Sequence, residues 1–338
     1  MNFFRTKFHK ISSKQEWNRV LKILGCFDFY HTYEYHEACS FYENSKPVMF
    51  CLELSSEKLI ALPLLERKIE DNFFDGTSVY GYTGPISNVS NSGQYSNAYR
   101  KLILMIRNHD KYISIFSRVN ILTTPTKIAT ELFSEAGSTV FINLSLTSKE
   151  QISQYRKNLR YDIRKLHDQG VNCNFVEHEK ELDSFIGIYN EAMENINADD
   201  FYFFPKSYYK KLFNNSFGDA KMVFCKKNSD ILAVGIFLFC NGIVQYHLGA
   251  NNSKFSKSSG TKLIIDYIRD YAFKNGYKTF HLGGGYGGKE DSLLNFKKGF
   301  SKKELKFFLI KEVINVKKYS DLSINIPHSH FFPLYRSQ

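Results

Sequence analysis

The sequence lacks the patterns that mark a metalloprotein, a disulfide-rich domain or a membrane protein. Its six cysteines are scattered without a C-x-x-C pair, and its ten histidines show no H-E-x-x-H spacing. We therefore expect no metal site and reduced cysteines. The longest apolar run, Ala233 to Cys240, is far shorter than the ~20 residues of a membrane-spanning helix. The N-terminal segment is broken by charges and lacks the apolar core of a signal peptide, so the expected location is the cytoplasm, without a membrane span.

The composition is that of a folded, basic protein. Its 338 residues are too many for one average core, so we expect two domains. Lys and Arg number 45 against 34 Asp and Glu, which gives a net charge of +11. An excess of this size suits a polyanionic partner: a nucleotide-linked cofactor, nucleic acid or an anionic membrane surface. The charge alone does not choose among them.

One stretch indicates where phosphate groups would bind. It reads as a strand (Ile243 to Leu248), a loop rich in Lys and Ser, and an amphipathic helix (Thr261 to Lys274). Small and cationic residues before a helix N-terminus can hold phosphate through backbone amides, the helix dipole and side-chain charge. The predicted contacts are Lys254, Lys257, Ser258, Ser259, Gly260 and Thr261. The alternative interpretation is a flexible surface loop.

A glycine cluster follows the next predicted strand (Tyr277 to Leu282) and resembles nucleotide-binding motifs only superficially. Gly283 to Lys289 matches G-x-x-x-x-G-K, but Glu290 stands where a P-loop needs Ser or Thr for Mg²⁺. The same glycines fit G-x-G-x-x-G, yet little chain remains for a Rossmann sheet. The cluster is better interpreted as a strand end where the backbone must approach closely.

The two halves of the chain show the same order of predicted elements. In the first half these are strands Val48 to Leu54, Leu59 to Ile69 and Ser78 to Gly84, helix Tyr95 to Asn108, strand Tyr112 to Arg118, helix Thr126 to Ala136 and strand Val140 to Leu146. Their counterparts are strands Met222 to Cys225, Ile231 to Phe239 and Ile243 to Leu248, helix Thr261 to Lys274, strand Tyr277 to Leu282, helix Asp291 to Lys298 and strand Glu304 to Glu312. This repeat predicts a duplicated α/β (α+β mixed sheet) fold with domains at residues 1–150 and 151–338.

The halves differ in the loop before the helix. The first-half loop, Ser87 to Gly93, has no cation, so the phosphates are assigned to the second domain and the first becomes a wall of the acceptor site without a cofactor. Between the halves, Gln151 to Gly170 is predicted to be a helix with a basic face that includes Arg164. That face is either a solvated surface or an anchor for an anionic substrate.

Five stretches together resemble the FemAB-like branch of the GNAT acyltransferase superfamily, whose members have two tandem GNAT domains. They are Tyr80 to Pro85, Ile115 to Asn120, Arg160 to Lys165, Tyr246 to Ala250 and Phe296 to Phe300. They stand in the family order and agree with the internal repeat. The usual GNAT phosphate signature is replaced by Lys257-Ser258-Ser259-Gly260-Thr261, and the coiled-coil insertion of the staphylococcal members is missing.

The resemblance implies a FemX-like fold, acyl-CoA as co-substrate and no metal. It places Lys297 beside the reacting carbonyl, and backbone amides near Leu248 and Gly249 against the donor. Tyr246 is the predicted proton donor to the leaving thiolate, and His281 and Asp291 are candidate catalytic bases or amine binders. The predicted substrate-binding residues are His36, Tyr80, Tyr82, Arg164, Tyr202, Tyr208 and His281.

Three functions follow from this resemblance. The first is N-acylation of a nucleotide-linked amino sugar, specifically a dTDP-3-amino-3,6-dideoxy sugar for surface glycan (O-antigen) synthesis, with acyl-CoA as donor. The second is aminoacyl transfer from tRNA to a peptidoglycan precursor, which the basic charge favours. The third is a binding protein with a degenerate site. We expect no DNA partner, and the oligomeric state stays open.

Overall fold

The structure, a computed structural model, describes residues 6–70, 72–109, 111–255 and 259–337. The chain forms two compact units. Unit 1 comprises Met1–Ala136 and Lys306–Gln338, and unit 2 comprises Gly137–Leu305. Within the described ranges, no helix has both the length and the apolar character needed to cross a membrane.

The elements are numbered along the chain. The strands are β1 (Lys7–Ile11), β2 (Lys46–Glu53), β3 (Leu59–Lys68), β4 (Phe74–Thr77), β5 (Ile86–Ser87), β6 (Tyr112–Arg118), β7 (Ser134–Asn143), β8 (Asn172–Val176), β9 (Asp219–Lys227), β10 (Asp230–Cys240), β11 (Ile243–Asn251), β12 (Thr279–Gly283) and β13 (Glu304–Val313). The α-helices are α1 (Lys14–Leu24), α2 (Tyr33–Cys39), α3 (Ser92–His109), α4 (Thr126–Leu132), α5 (Ser148–Ser153), α6 (Lys157–Asp168), α7 (His178–Asn195), α8 (Lys206–Leu212), α9 (Thr261–Lys274), α10 (Ser292–Lys297) and α11 (Val316–Ser323). Single 3-10 turns lie at Phe29–His31, Ser40–Glu43, Asp200–Tyr202, Ser253–Phe255, Tyr286–Gly288 and Leu334–Arg336.

Unit 1 is a mixed sheet in the order β1-β2-β3-β4-β6-β13, with β5 also paired to β3. The pair β4–β6 is parallel, and the other pairs are antiparallel. Helix α3 buries its apolar stripe, including Leu102 and Ile106, against strands β2 and β3. A sheet face covered in this way removes the apolar side chains of both elements from water, which is the main stabilising contribution to the unit.

The strands of unit 2 follow the order β7-β12-β11-β10-β9-β8. The pair β11–β12 is parallel, and the others are antiparallel. Helix α9 packs on β8 to β11 through Ile264, Ile265 and Ile268, each at most 1% exposed. These side chains recur at helical spacing and fix the orientation of α9 on the sheet.

The predicted repeat is present in the topology. Elements β2-β3-β4-α3-β6 and β9-β10-β11-α9-β12 follow the same order with the same strand directions. The last strand of each repeat, however, lies in the other unit. Most of β7 belongs to unit 2 and most of β13 to unit 1. The compact units therefore do not coincide with the predicted ranges 1–150 and 151–338.

Three element predictions need correction. The strand predicted from Ser78 to Gly84 is instead β4, which ends at Thr77, because Gly81 and Gly84 have φ values of +108° and +68° that interrupt an extended strand. The helix predicted to reach Ala136 ends at Leu132, and Phe133 is extended. The helix predicted from Gln151 to Gly170 is two helices, α5 and α6.

The break between α5 and α6 has a packing cause. Arg156 N donates a hydrogen bond to Gly299 O at 2.9 Å, which a continuous helix would not allow. Tyr155, 3% exposed, turns inward against Phe300 with ring centroids 5.3 Å apart. The break thus fixes the start of α6 against the segment that follows α10.

Candidate functional site

Strands β11 and β12 pair over a short length and then separate. Their register ends at Gln245 opposite His281, although β11 continues to Asn251 and β12 to Gly283. No ladder pair joins them further on in the described part of the chain. Each strand remains fixed on its other side, β11 by β10 and β12 by β7. The gap therefore has backbone edges that can pair with an extended ligand.

Unit 1 fills the equivalent position with its own chain. After β4 ends, the chain returns to β6, where Thr83 forms a parallel bridge with Val119. Thr83 N donates to Arg118 O at 2.9 Å, and Asn120 N donates to Thr83 O at 3.1 Å. The edge of β6 is thus occupied by the chain itself in unit 1, whereas the corresponding edge of β12 in unit 2 has no such strand partner among the described residues.

Lys297 is a buried cation at the end of α10. It is 8% exposed, and its Nζ donates to Gly284 O at 2.7 Å. The same Nζ lies 5.7 Å from the ring centroid of Tyr246. Burial lowers the pKa of Lys297 to about 8, although the charge of Asp291 acts in the opposite direction. At neutral pH the ammonium form therefore still predominates, and it is held in a site with little water.

Asp291 organises the glycine turn that faces Lys297. Its Oδ1 accepts from Leu294 N at 2.8 Å as the N-cap of α10, and its Oδ2 accepts from Tyr286 N at 2.7 Å. A Cβ at Gly285 would lie 2.1 Å from Lys289 O, so only glycine fits there. The cluster is a tight turn that aims the Gly284 carbonyl at Lys297, as expected for a strand end with close backbone approach.

Tyr246 lies next to a β-bulge in β11. Ile236 pairs with Leu248 and Phe237 with Tyr246, which leaves His247 as the extra residue. The Tyr246 ring stacks on Phe237 at 5.3 Å, and a Cβ at Gly249 would lie 2.4 Å from the Tyr246 hydroxyl. Gly249 therefore makes room for the ring. Burial raises the pKa of Tyr246 to about 12, so this phenol keeps its proton at neutral pH.

Two buried polar pairs support this part of the sheet. His281 Nδ1 and Gln245 Oε1 are 2.7 Å apart, at the last position where β11 and β12 pair. His247 Nε2 and the Tyr208 hydroxyl are 2.6 Å apart, which holds the bulge against α8. Burial lowers the pKa of both histidines to about 3, and for His281 the charge of Lys297 adds to the effect. Both imidazoles are therefore neutral at physiological pH.

The start of α9 has the backbone that a phosphate site needs, but part of it is already bonded. Asn251 Oδ1 accepts from Thr261 N at 3.1 Å and from Thr261 Oγ1 at 3.2 Å. Gly260 is sterically required, because a Cβ there would lie 2.9 Å from that of Ala233. Lys254 is exposed, and Ser259 lies just before the helix with φ +51°. Lys257 and Ser258 lie outside the described residues, so the pyrophosphate contacts stay a prediction.

The remaining predicted residues fall into three environments. Tyr208, His281 and His36 are buried, and His36 Nδ1 lies 2.9 Å from Thr32 O in unit 1. Arg164 is exposed on α6. The half-buried tyrosines are Tyr80 and Tyr82 in unit 1 and Tyr202 in unit 2. Tyr202 stacks on Tyr286 with centroids 5.3 Å apart, and Tyr286 in turn hydrogen-bonds Asp199. Their contacts with substrate stay predictions.

Sequence analysis missed the residues that shape the site without touching a reacting atom. Gln245 fixes the point where the strands separate, the Gly284 carbonyl holds Lys297, and His247 forms the bulge. The signal was the polar pair Gln245 and His247 within an otherwise apolar strand. Among the described residues, no group of three or more His, Cys, Asp or Glu side chains could hold a metal ion.

Comparison with known proteins identifies the fold of the chain. The family model described as "Acetyltransferase (GNAT) domain" matches residues 153–298, which is less than half of the chain. The chain is similar to the crystal structure of FemX, with a TM-score of 0.69 at 13% identity over 92% of this chain and 99% of that one. The predicted mixed α/β fold with FemX-like tandem GNAT architecture is confirmed.

Two further solved structures are similar to the chain in fold. L-PGS from Bacillus licheniformis aligns with a TM-score of 0.56 at 13% identity, over 90% of this chain and 93% of that chain. The C-terminal domain of a putative lysylphosphatidylglycerol synthetase from Agrobacterium fabrum aligns with a TM-score of 0.53 at 13% identity, over 90% and 94%. At this identity the likeness concerns the fold alone. No curated protein sequence matches the chain.

The two hydrogen bonds of Asp291 predict a difference between two substitutions. Asp291→Ala removes the N-cap of α10 and should lower the free energy of unfolding by about 1–2 kcal/mol. Asp291→Asn should cost less, because asparagine caps about as well as aspartate and keeps one acceptor oxygen. Urea denaturation followed by circular dichroism measures both. Equal losses for the two variants would contradict the capping role, and Asp230→Ala, at an exposed position, is the control.

Proposed function

We propose that this chain is an N-acyltransferase whose acyl donor binds in the gap between β11 and β12, beside Lys297. The observation that carries the proposal is the combination of an open strand edge with a buried ammonium group. The edge of β11 beyond Gln245 can pair with the amides of an extended donor arm. Lys297 can then place a positive charge where the donor carbonyl develops negative charge. In unit 1 the corresponding gap is filled by the segment around Thr83, which bonds to the edge of β6, so a single donor site is proposed, in unit 2.

The reaction is direct transfer. The neutral amine of the acceptor attacks the carbonyl carbon of the donor, a C–N bond forms, and the tetrahedral oxyanion is stabilised by Lys297. Collapse of this intermediate breaks the bond to the leaving group, which departs as a thiolate or an alkoxide. The leaving group gains one proton, and the attacking nitrogen loses one. Tyr246 is the proposed donor of the first proton to an alkoxide and regains that proton from the solvent, whereas a thiolate can be protonated by the solvent itself. Water takes the second proton.

Asp291 and His281 are not bases in the proposed mechanism. Both oxygens of Asp291 accept backbone hydrogen bonds that fix the turn, so it is a positioning residue in the proposed mechanism. Burial lowers the pKa of His281 to about 3, and a group this weakly basic cannot hold a proton at pH 7. The acceptor amine therefore has to arrive without its extra proton.

For the substrates, we propose first acyl-CoA and a nucleotide-linked amino sugar, specifically a dTDP-3-amino-3,6-dideoxy sugar. The open edge of β11 suits the amide-bearing pantetheine arm, and the α9 start with Lys254 and Gly260 suits a pyrophosphate. Half-buried tyrosines such as Tyr202 suit stacking on a sugar or base. The predicted roles of Tyr80 and Tyr82 belong to this version of the proposal.

A second donor, an aminoacyl-tRNA, is favoured by a different observation. The similar structures include FemX and a domain of a putative lysylphosphatidylglycerol synthetase, and the second name contains a lysyl group, which is an aminoacyl group. The net charge of +11 also suits a polyanionic donor. In this version the acceptor is the amino group of a peptidoglycan precursor, and the leaving group is a ribose hydroxyl.

An assay with crossed donors and acceptors separates the two versions. The protein is incubated with acyl-CoAs or charged tRNA, each with dTDP-amino sugars or peptidoglycan precursors, and products are followed by mass spectrometry. Release of free thiol that requires the amino sugar supports the first version. Transfer abolished by ribonuclease supports the second. Absence of transfer in every combination would contradict an acyltransferase and favour a binding protein.

Replacement of Lys297 should cost activity and increase stability. A folded-state pKa of about 8 lies below the ordinary value of 10.5, so the folded protein binds this proton more weakly than the unfolded chain does. The charged lysine therefore opposes folding below about pH 8, and this penalty disappears as the pH rises toward about 10.5. Lys297→Met should raise stability at pH 7 by about 1–2 kcal/mol, after loss of the bond to Gly284 is deducted. Turnover should fall about 100-fold or more.

Thermal unfolding and steady-state kinetics test both effects. Lys289→Met, at an exposed lysine of the same turn, is the matched control and should change neither quantity appreciably. The wild-type turnover should also decline above about pH 8 as Lys297 loses its proton, and Lys297→Arg should move that decline to higher pH. A variant with wild-type turnover would remove Lys297 from the mechanism.

The raised pKa of Tyr246 predicts that its importance depends on the leaving group. A thiol has an ordinary pKa of about 8.5, so a thiolate has little tendency to take a proton from a phenol with a pKa of about 12. An alkoxide is a far stronger base and would take it. Tyr246→Phe should therefore lower turnover less than about 10-fold with a thioester donor and about 100-fold or more with the matching oxygen ester. Equal losses with both esters would contradict the role of proton donor.

A further inference from the structure

Unit 2 contains a basic cavity that the proposed reaction does not use. It has a volume of about 500 Å³, which is within the usual range for a small-ligand site. It lies where the start of α6 meets the segment after α10. Its lining residues are Ser153, Gln154, Tyr155, Arg156, Lys157, Arg160, Lys298, Ser301, Lys302 and Glu304.

The cavity is strongly cationic. Five of the lining side chains carry a positive charge, and Glu304 alone carries a negative one. Glu304 pairs with Lys298 at 3.0 Å, and Arg156 donates to Asn295 Oδ1 at 2.8 Å. Lys157, Arg160 and Lys302 are exposed and make no ion pair with any described residue. Like charges held this close repel each other, and a bound anion with more than one charge would relieve that repulsion.

The walls of the cavity are fixed by backbone and core contacts. Arg156 N is bonded to Gly299 O, and Tyr155 packs on Phe300, so the start of α6 is held against the segment that follows α10. Lys157 and Arg160 stand in the first turn of α6, where the helix dipole already presents positive charge. Helix starts are usually stabilised by acidic side chains, so this concentration of cations works against folding and indicates a binding role.

Two adjacent lysines at the C-terminal end of α10 have different surroundings. Lys297 is buried against Gly284, whereas the next residue, Lys298, is about a quarter exposed and lines the cavity. Lys254, which belongs to the loop before α9 where a pyrophosphate is predicted to bind, does not line the cavity. The cavity is therefore a site of its own, close in sequence to the reacting group but separate from the start of α9.

We propose that this cavity binds a phosphate-bearing group. Phosphates carry more charge than a carboxylate, and an arginine can grip them with two parallel hydrogen bonds. The group has two possible sources with the same chemistry: the diphosphate of a small nucleotide-linked molecule or the backbone of an RNA. The proposal concerns binding, so it can fail or hold independently of acyl transfer.

Binding measured on the full chain tests this proposal. The probes are inorganic pyrophosphate, followed by calorimetry, and a short fluorescent single-stranded RNA, followed by anisotropy. The test variant is Lys157→Gln with Lys302→Gln, which removes two exposed cavity lysines. The control is Lys149→Gln with Lys165→Gln, which removes two exposed lysines of the same unit outside the cavity.

The expected result is weaker binding in the test variant only. Its Kd should rise about 10-fold or more, and the slope of log K against log salt for RNA should become shallower by about one to two. If the test variant binds only pyrophosphate more weakly, the site is assigned to a small diphosphate. If it binds the RNA more weakly, the site is assigned to an RNA backbone. Test and control variants with equal affinities for both probes would overturn the proposal.

Discussion

An ammonium group buried without a carboxylate in contact constrains most of the candidate site. Lys297 has only the Gly284 carbonyl as a close hydrogen-bond partner among the described residues, so that carbonyl has to be presented at a fixed point. The turn that presents it needs glycine at Gly285, and Asp291 closes the turn while it caps the helix that carries Lys297. Because one carboxylate fixes both the turn and the helix, the position of the cation follows from a few hydrogen bonds rather than from an ion pair.

The two units share one topology but differ in whether a strand edge is open to a ligand. In each unit, an antiparallel hairpin is followed by a parallel strand pair, and a long helix connects the two parallel strands. In unit 2 the parallel pair separates beyond Gln245. In unit 1 the segment around Thr83 bonds to the edge of β6 at the corresponding place. A chain segment that satisfies those backbone groups removes the need for a ligand there. In the sequence, only the second half has lysines in the loop before its helix. The backbone hydrogen bonds of the two units also differ, because the strand edge is occupied in unit 1 and open in unit 2.

Sequence periodicity predicted the regular elements well and the local irregularities poorly. Helix α9 and strand β6 have the predicted boundaries, because their apolar patterns are uninterrupted. The strand predicted around Tyr80 failed because alternating side chains do not reveal the positive φ angles of Gly81 and Gly84. The bulge at His247 depends on the register with β10, and register is a property of two strands together. The exchange of the final strands could not be predicted either, since the local pattern does not show which neighbours a strand pairs with.

The buried histidines limit how this site can move protons. His281 and His247 both have pKa values of about 3, since burial disfavours the charged ring. Neither can take a proton from an incoming amine near pH 7, and each is already bonded to a neighbour, Gln245 or Tyr208. Their contribution is to hold the two strands at the point where they part. In the proposed reaction such a site would accelerate transfer by position and by the fixed charge of Lys297, and deprotonation of the amine would be left to the solvent.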